Sequence, residues 1–346
     1  MADALSGRRR RENRHSVLRL VVVLLLVLVA SGVFLVINAF DPLLVLPYRL
    51  PSLGAMLCVG WASGVSTVMF QTVTGNRILT PSVLGLDALY ALLQVVLLLV
   101  LGAAGFSSLP DLGAFVLTLL VMIGVSVALM GAVLGARRSV TTLVLLGIVL
   151  GTFLRSGTTF IQRLLDPNDF LILQDRLFAS FGSINPDLLV LSLVLTAAVS
   201  ILAIRELRAL DVVALGPDVA TALGVDHRRI SRRVMVMVAV LVSVSTALVG
   251  PIMFLGLLVA HLAYWAAGTN RHVVTVPMAA LVAMLVLATG QTVLAHVLDA
   301  DNVLSVIIEF LKLRRSASWG VVLVLPMVSA LCACVLVRPT DWQLLW

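Results

Sequence analysis

Long, uninterrupted runs of apolar residues separated by short polar segments make up most of the chain. Each run is close to the ~20 residues that a helix needs to cross the roughly 30 Å hydrocarbon core of a bilayer. The runs are continuous and do not alternate with polar residues, so they favour membrane helices over barrel strands. The predicted spans are 20–39, 52–71, 83–103, 112–134, 140–163, 188–205, 232–250, 252–267, 273–297 and 317–337.

Composition supports the same fold class. The chain has 346 residues, of which 61% are hydrophobic and 12% charged, and its mean hydropathy is +1.13. A soluble domain cannot bury so much apolar surface. We therefore expect an all-α polytopic membrane protein with about ten transmembrane helices. Its expected parts are a basic tail at 1–19, one transmembrane domain at 20–337 and a C-terminal tail at 338–346.

The distribution of arginine predicts the orientation in the membrane. Six arginines precede the first span, and most of the others fall on the same side of the predicted topology. Positively charged loops stay in the cytoplasm, so the N-terminus is expected to be cytoplasmic in a bacterial cell membrane. The first apolar run is too long for a signal peptide and is interpreted as a membrane helix. The net charge of +7 then reflects contact with anionic lipid, and no nucleic-acid partner is implied.

Cysteine and histidine give no pattern typical of a metal site. Cys58, Cys332 and Cys334 lie in apolar runs and are predicted to be small buried hydrophobic residues. His261 and His296 are interpreted as packing residues, because no paired-histidine or histidine–carboxylate spacing accompanies them. We therefore expect no metal site and no cofactor in this chain.

One polar stretch between two apolar runs, ALGPDVATALGVDHRRISRR, has strong local structure signals. Gly216 and Pro217 favour the start of a short helix over 218–223, and Gly224 favours its end. Asp226 is a typical N-cap for a second helix that continues into the next span. A solvated basic loop is the alternative interpretation. Two short helices joined at a glycine would instead form a compact projection on the cytoplasmic face, which predicts a partner protein.

The chain has no phosphate-binding loop of the Walker A type. Its single lysine, Lys312, is not preceded by the required glycine spacing. If transport through this protein uses ATP, a separate chain must bind and hydrolyse it.

Small residues recur in two spans at the spacing that lets helices approach closely. Ordinary helix packing is the alternative explanation for any one of them. The residues are Gly60, Ser63 and Gly64 in the second span and Gly147, Gly151 and Gly157 in the fifth.

Three long stretches, together with the polar loop, resemble one known family. They are YRLPSLGAMLCVGWASGVSTVMFQTVTGNRILTPSVLGLD (48–87), RRSVTTLVLLGIVLGTFLRSGTTFIQRLLDPNDFLILQDRLFASF (137–181) and GPIMFLGLLVAHLAYWAAGTNRHVV (250–274). The chain resembles, over about 20–311, the permease subunits of bacterial iron–siderophore and vitamin B12 ABC importers. The middle stretch is most similar to the branch that handles catecholate iron chelates.

The resemblance implies a type II ABC importer permease fold and a transport subunit that is not itself an enzyme. Its implied partners are a second permease, related or identical, two ATPase subunits that bind ATP and Mg, and an extracytoplasmic binding lipoprotein or periplasmic protein. It also implies that the cytoplasmic region 206–231 docks on the ATPase. The residues assigned to this coupling are Leu215, Gly216, Pro217, Asp218, Ala222, Leu223, Gly224, Val225, Arg228 and Arg229.

The chain departs from the family pattern at several positions. Ser52 replaces an arginine, Ala260 replaces a proline before a histidine, and the proline expected after Asn76 is delayed to Pro81. The end of the chain, 303–346, replaces a glycine-rich final span with a charged segment and a new apolar run. Either that apolar run is the last span or the end of the chain is rearranged.

The fifth span carries polar residues that are candidates for a translocation path: Arg155, Thr158, Thr159, Gln162 and Arg163. At about 100° per residue, Arg155, Thr159 and Gln162 share one helix face. Such a face would suit a large anionic ferric chelate. Alternatively, Arg155 pairs with Asp87 and holds two helices together.

The predicted outer loop at 164–187 carries four charged residues that could contact a docking protein. A solvated loop is the alternative. The residues are Asp166, Asp169, Asp175 and Arg176.

Two other functional classes were considered. An ion-coupled secondary transporter of a small solute needs carboxylates near the middle of the membrane, and the candidates here are Asp87 and Glu309. A membrane enzyme would need a catalytic constellation such as H-E-x-x-H, which the sequence lacks. The importer permease is the prediction carried forward.

Overall fold

The computed structural model describes residues 2–37, 42–108, 110–135, 140–182 and 184–296, and these residues form helices joined by turns. The helices are α1 (Ala2–Val36), α2 (Pro42–Thr74), α3 (Leu86–Ser108), α4 (Asp111–Gly135), α5 (Val140–Gln162), α6 (Pro167–Leu177), α7 (Pro186–Val213), α8 (Pro217–Ala222), α9 (His227–Val249), α10 (Leu255–Ala267) and α11 (His272–His296). A single 3-10 turn at Pro81–Leu84, here called the Pro81 turn, precedes α3.

The predicted spans agree with these helices. Seven helices within the described ranges are long and apolar enough to cross a membrane, and α3 and α10 contain shorter apolar segments. Nine of the ten predicted spans overlap α1–α5, α7 and α9–α11. The tenth prediction, 317–337, lies outside the described residues. The protein is therefore an all-α, multi-pass membrane protein.

The observed helix boundaries differ most from the predicted ones in the polar segments of the chain. Helix α1 begins at Ala2, so it continues through most of the expected tail. Helix α7 extends to Val213 and takes in the first part of the predicted coupling region. The predicted outer loop contains a helix, α6, which begins with Pro167 at its first position after Asp166. Proline at the first helical position is a recognised start signal, and it was present in the sequence.

Helix α2 lies at the centre of the fold and packs against α11, α9 and α7. Its glycines permit this approach. A Cβ atom added to Gly60 would lie 2.8 Å from the backbone nitrogen of Met284, and one on Gly64 would lie 2.5 Å from the carbonyl oxygen of Ala279. The predicted close packing at these two glycines is confirmed. Cys58, on the same helix, is buried as predicted.

Helix α5 packs on α3 and the Pro81 turn through a second small-residue contact. A Cβ on Gly151 would lie 3.0 Å from the Cα of Gly85, and one on Gly147 would lie 2.8 Å from the Cα of Leu84. Gly157 has more room, since its nearest neighbour would be a side-chain atom 3.8 Å away. The opposite face of α5 is exposed in the single chain.

Candidate functional site: a cytoplasmic projection, a buried joint and a polar helix face

The turn at α8 has the local structure that its sequence predicts. Gly216 has φ 98° and Gly224 has φ 79°, values that favour glycine at both ends of the helix. Pro217 occupies the first helical position. The backbone N–H of Gly224 donates to the carbonyl of Thr221 at 3.0 Å, which ends the helix. We call residues 214–229 the coupling knob.

Asp226 starts the next helix as an N-cap. Its side chain accepts a hydrogen bond of 3.0 Å from the backbone N–H of Arg229 and lies 3.5 Å from the guanidinium group of the same residue. A groove of about 460 Å³ opens beside this cap. It is lined by Pro217, Thr221, Gly224, Val225, Asp226, His227 and Arg228.

The outer surface of the coupling knob is apolar, although it lies next to charged residues. Ala220 is fully buried and fixes α8 against α7 and α9. Leu215, Val219 and Leu223, spaced by four residues, are 58%, 47% and 60% exposed. Exposed apolar clusters outside the membrane typically mark contact with another protein.

The ten residues assigned to coupling from the resemblance lie together on the coupling knob. Most are exposed, and Gly216 and Val225 are partly buried. The exposed members are Leu215, Pro217, Asp218, Ala222, Leu223, Gly224, Arg228 and Arg229.

A partly buried hydrogen-bonded joint lies beside the coupling knob, and sequence reasoning missed it. The carboxylate Oδ1 of Asp211, in the last turn of α7, accepts from the backbone N–H of His272 at 2.8 Å and lies 2.6 Å from its Nδ1. The other ring nitrogen, Nε2, lies 2.6 Å from the hydroxyl of Thr72 on α2. The joint connects the ends of three helices, yet Asp211 and His272 are 61 residues apart and share no motif.

Arg77 makes further contacts between segments at the same end of the molecule. Its guanidinium group lies 4.6 Å from the ring centre of Tyr264 and donates at 3.1 Å to the side chain of Asn270. The side-chain amide of Gln71 donates to the carbonyl of Arg77 at 2.6 Å. The loop after α2 is thereby tied to the turn between α10 and α11.

The predicted polar face of α5 is present, with one exception. Arg155 and Thr159 are exposed, Gln162 is partly exposed, and Arg163 lies exposed just beyond the helix end. Thr158 differs because its side chain is buried, at 6% exposed; the hydroxyls of Thr158 and Thr159 both donate to carbonyls of their own helix. The structure therefore separates Thr158 from the other four, and a path along this face would not contact it.

Asp87 is buried at the start of α3, near Arg155 but not in close contact with it. The two described residues do not form an ion pair within 4.0 Å, although the charge of Arg155 acts on the carboxyl group. Asp87 Oδ2 has no hydrogen-bond partner among the described residues. It borders a cavity of about 30 Å³, a size that holds one or two waters. The cavity is otherwise lined mainly by hydroxyl groups from α2, α9 and the Pro81 turn.

A larger polar pocket opens on the predicted outer side, between α3, α4, α6, α7 and α9. Its volume is about 290 Å³. Arg176 on α6 lies 4.0 Å from Asp111 and 5.7 Å from the ring centre of Phe106. Asn185 donates to Asp111 at 3.3 Å, and the hydroxyl of Tyr90 donates to the carbonyl of Arg176 at 3.1 Å.

The residues predicted to contact a docking protein lie on or next to α6, and one of them, Arg176, lines this pocket. Asp166 precedes the helix and is exposed, and Asp169 lies in its first turn and is partly exposed. Arg176 is in the last turn, with half of its side chain exposed. Asp175 lies on the same helix, but its side chain is outside the described part.

Metal ligands do not cluster in the part of the chain that the structure describes. No three His, Cys, Asp or Glu side chains come together there. Cys332 and Cys334 lie outside the described residues. His261, predicted to be a packing residue, is instead exposed on α10, where its Nδ1 lies 2.9 Å from the carbonyl of Leu257.

Comparison with known proteins gives consistent results. The profile of the FecCD transport family matches residues 16–313. The petrobactin import permease YclO of Bacillus subtilis (strain 168) is 39% identical over 85% of this chain and 96% of its own. The petrobactin import permease FatC of Bacillus anthracis is 36% identical over 89% of each chain. A solved inward-facing metal-chelate type ABC transporter has the same fold, with a TM-score of 0.74 and 21% identity over 92% of this chain and 99% of its own.

Proposed function

The chain belongs to the FecCD transport family, and we propose that it is the permease subunit of an ABC importer that carries ferric siderophores into the cytoplasm. The observation that carries this proposal, beside the family, is the apolar stripe Leu215, Val219 and Leu223 on a projection that a partner could cover. Relatives that import petrobactin support a siderophore as the substrate. An ion-coupled secondary transporter would not need such a projection.

The energy for import comes from separate subunits. The chain has no Walker A loop, so ATP and Mg bind to two ATPase subunits beneath the coupling knob. Closure of the ATPases displaces α8, and the helices change between outward-open and inward-open packing. A second permease, related or identical, completes the path. The six arginines before the first span hold the N-terminus on the cytoplasmic side.

The outer pocket is the docking position for the substrate-binding protein. Arg176 lines it, and Asp166, Asp169 and Asp175 lie on or beside the same helix, α6. Arg176 is half exposed and only loosely paired with Asp111, at 4.0 Å, so it is available to an acidic group of the partner. Charge pairs of this kind set orientation and association rate more than affinity.

The substrate passes along the exposed face of α5. Arg155, Thr159 and Gln162 present one positive charge and two hydrogen-bonding groups on a mostly apolar helix. A cation within a span is costly unless it faces protein or water. A ferric catecholate is a large anion, so Arg155 would favour its entry, and a second permease across this face would enclose the path.

Uptake measurements test the substrate class. The permease, its candidate ATPase and its binding protein are reconstituted in liposomes with ATP inside. The imported chelates are ferric petrobactin, ferric enterobactin and a ferric hydroxamate, with vitamin B12 as a non-siderophore control. We expect ATP-dependent uptake of at least one catecholate iron chelate and no uptake of vitamin B12. Uptake of vitamin B12 alone, or uptake driven by a sodium or proton gradient without ATP, would refute the proposal.

Substitution of Arg155 separates its two possible roles. We expect Arg155→Gln to lower the initial rate of ferric chelate uptake on the order of tenfold, because one charge-assisted contact is lost, and Arg155→Lys to retain much of the rate. Asp87→Asn serves as the comparison. If Arg155 only balances Asp87, the double variant will recover the rate lost in Arg155→Gln; if Arg155 contacts substrate, it will not.

A further inference from the structure

We propose that His272 is a positioning residue that transmits the displacement of the coupling knob to the cytoplasmic end of α2. This inference rests on the proposed function, since it requires that α8 docks on an ATPase. It assigns a mechanical role to the joint of Asp211, His272 and Thr72, in which His272 is buried and the other two residues are partly buried, and which lies outside the exposed stripe of the coupling knob.

The first half of the joint connects α7 to α11. Asp211 Oδ1 receives both the backbone N–H of His272, at 2.8 Å, and the side chain at Nδ1, at 2.6 Å. A carboxylate from one helix therefore caps the N-terminus of another, where the helix dipole favours negative charge. Asp211 lies six residues before Pro217, in a turn held by the buried side chains of Leu210 and Val213. Displacement of α8 along α7 is thus passed to the start of α11.

The second half connects α11 to α2 and has two possible hydrogen-bonding arrangements. With Nδ1–H directed at Asp211, Nε2 of the neutral ring is an acceptor for the hydroxyl of Thr72, 2.6 Å away. The same hydroxyl lies 2.9 Å from the carbonyl of Val68, one turn earlier in α2. A hydroxyl has one proton, so Thr72 can donate to His272 or to Val68, but not fully to both. The hydroxyl therefore has two alternative acceptors, and a conformational switch requires two alternative arrangements of this kind.

Burial of His272 strengthens the dependence of this connection on the hydrogen bond between His272 and Thr72. His272 is 3% exposed, so water cannot readily replace a lost partner. Around it lie Asp211 on α7, Thr72 on α2, Tyr264 on α10, which also interacts with Thr72, and the charge of Arg77 from the loop after α2. Arg77 and its contact with Asn270 form a separate tie at the surface. Loss of the His272–Thr72 bond would therefore leave the helices packed but less tightly coupled.

The test measures ATP hydrolysed per ferric siderophore imported, in liposomes that contain the permease with its ATPase and binding protein. Thr72→Val removes the hydroxyl while conserving shape, and we expect it to raise this ratio roughly fivefold or more. Thr72→Ser keeps the hydroxyl and should stay near wild type. Thr74→Val is the matched control, because Thr74 lies on the same helix end and its hydroxyl bonds only to carbonyls of α2.

Histidine variants assign the two halves. His272→Asn places an amide near the Nδ1 position and loses the contact with Thr72. His272→Gln reaches the Nε2 position and loses the side-chain contact with Asp211, while the backbone N–H keeps its bond to that carboxylate. Both should raise the ratio. If Thr72→Val gives the same ratio as Thr74→Val, or if transport and hydrolysis fall in equal proportion, the relay is refuted.

Retention of the ATPase on the purified permease is measured in parallel. All variants should retain it, because the joint lies outside the exposed stripe Leu215, Val219 and Leu223 that is proposed to contact the ATPase. A wild-type permease that does not bind the ATPase would refute the proposed function itself, a result distinct from failure of the relay. If the histidine variants do not fold, the Thr72 and Thr74 variants decide the question.

Discussion

Replacing Leu223 with glutamate is expected to detach the ATPase from the permease. Leu223 is 60% exposed at the end of the stripe on the coupling knob, so the substitution removes little packing within this chain. In the assembly it would bury an unpaired carboxylate in an apolar contact. We expect affinity for the ATPase to fall on the order of 10- to 100-fold, as for a central interface residue, and uptake to fall with it. Co-purification in detergent and equilibrium binding measure the change.

Ile78→Glu provides a matched control for that result. Ile78 is also an aliphatic residue on the predicted cytoplasmic side, 71% exposed, but it lies in the loop after α2 and outside the coupling knob. It should leave ATPase binding near wild type. Gly224→Pro and Ala222→Arg, which alter the end of α8, should behave like Leu223→Glu. Equal binding by the Leu223 and Ile78 variants would contradict the assignment of the knob as the docking surface.

The coupling knob could be predicted because its signals are local. Glycine at 216 and 224, proline at 217 and aspartate at 226 act on the backbone of their own turn, and the structure has the helix start, helix end and N-cap at those positions. The spans could be predicted for the related reason that hydropathy over about 20 residues is a property of one segment.

Features that depend on contacts between distant segments could not be predicted. Thr158 and Thr159 are adjacent, and a helical projection cannot tell which of them is covered by α3 and which is exposed. The joint of Asp211, His272 and Thr72 combines residues from three helices, and no spacing rule connects them. Hydropathy also did not show that α1 continues through the arginine-rich segment to Ala2, because a polar helix has no apolar run.

The close contact between α2 and α11 gives the largest expected effect on stability. Alanine is a better helix former than glycine by about 1 kcal/mol, so Gly64→Ala alone should stabilise α2. The added Cβ would, however, lie 2.5 Å from the carbonyl oxygen of Ala279 and 2.7 Å from the backbone nitrogen of Ala280. Backbone atoms of a packed helix cannot move aside as a flexible side chain can. We therefore expect a net loss of about 2 kcal/mol or more, seen as a fall of several degrees in the Tm of the purified protein.

Gly290→Ala on α11 is a control that separates the effect of helix propensity from the effect of the backbone contact at Gly64. No atom of the described residues lies within 4 Å of a Cβ at that position, so the substitution keeps the propensity gain and adds no clash with them. Its Tm should equal or exceed that of wild type. Gly60→Ala, where the nearest backbone atom would be 2.8 Å away, should fall between the other two. If Gly64→Ala raised the Tm as Gly290→Ala does, α2 and α11 would not be in backbone contact, and the central packing of the fold would be wrong. A graded loss from Gly290 through Gly60 to Gly64 would instead follow the backbone distances.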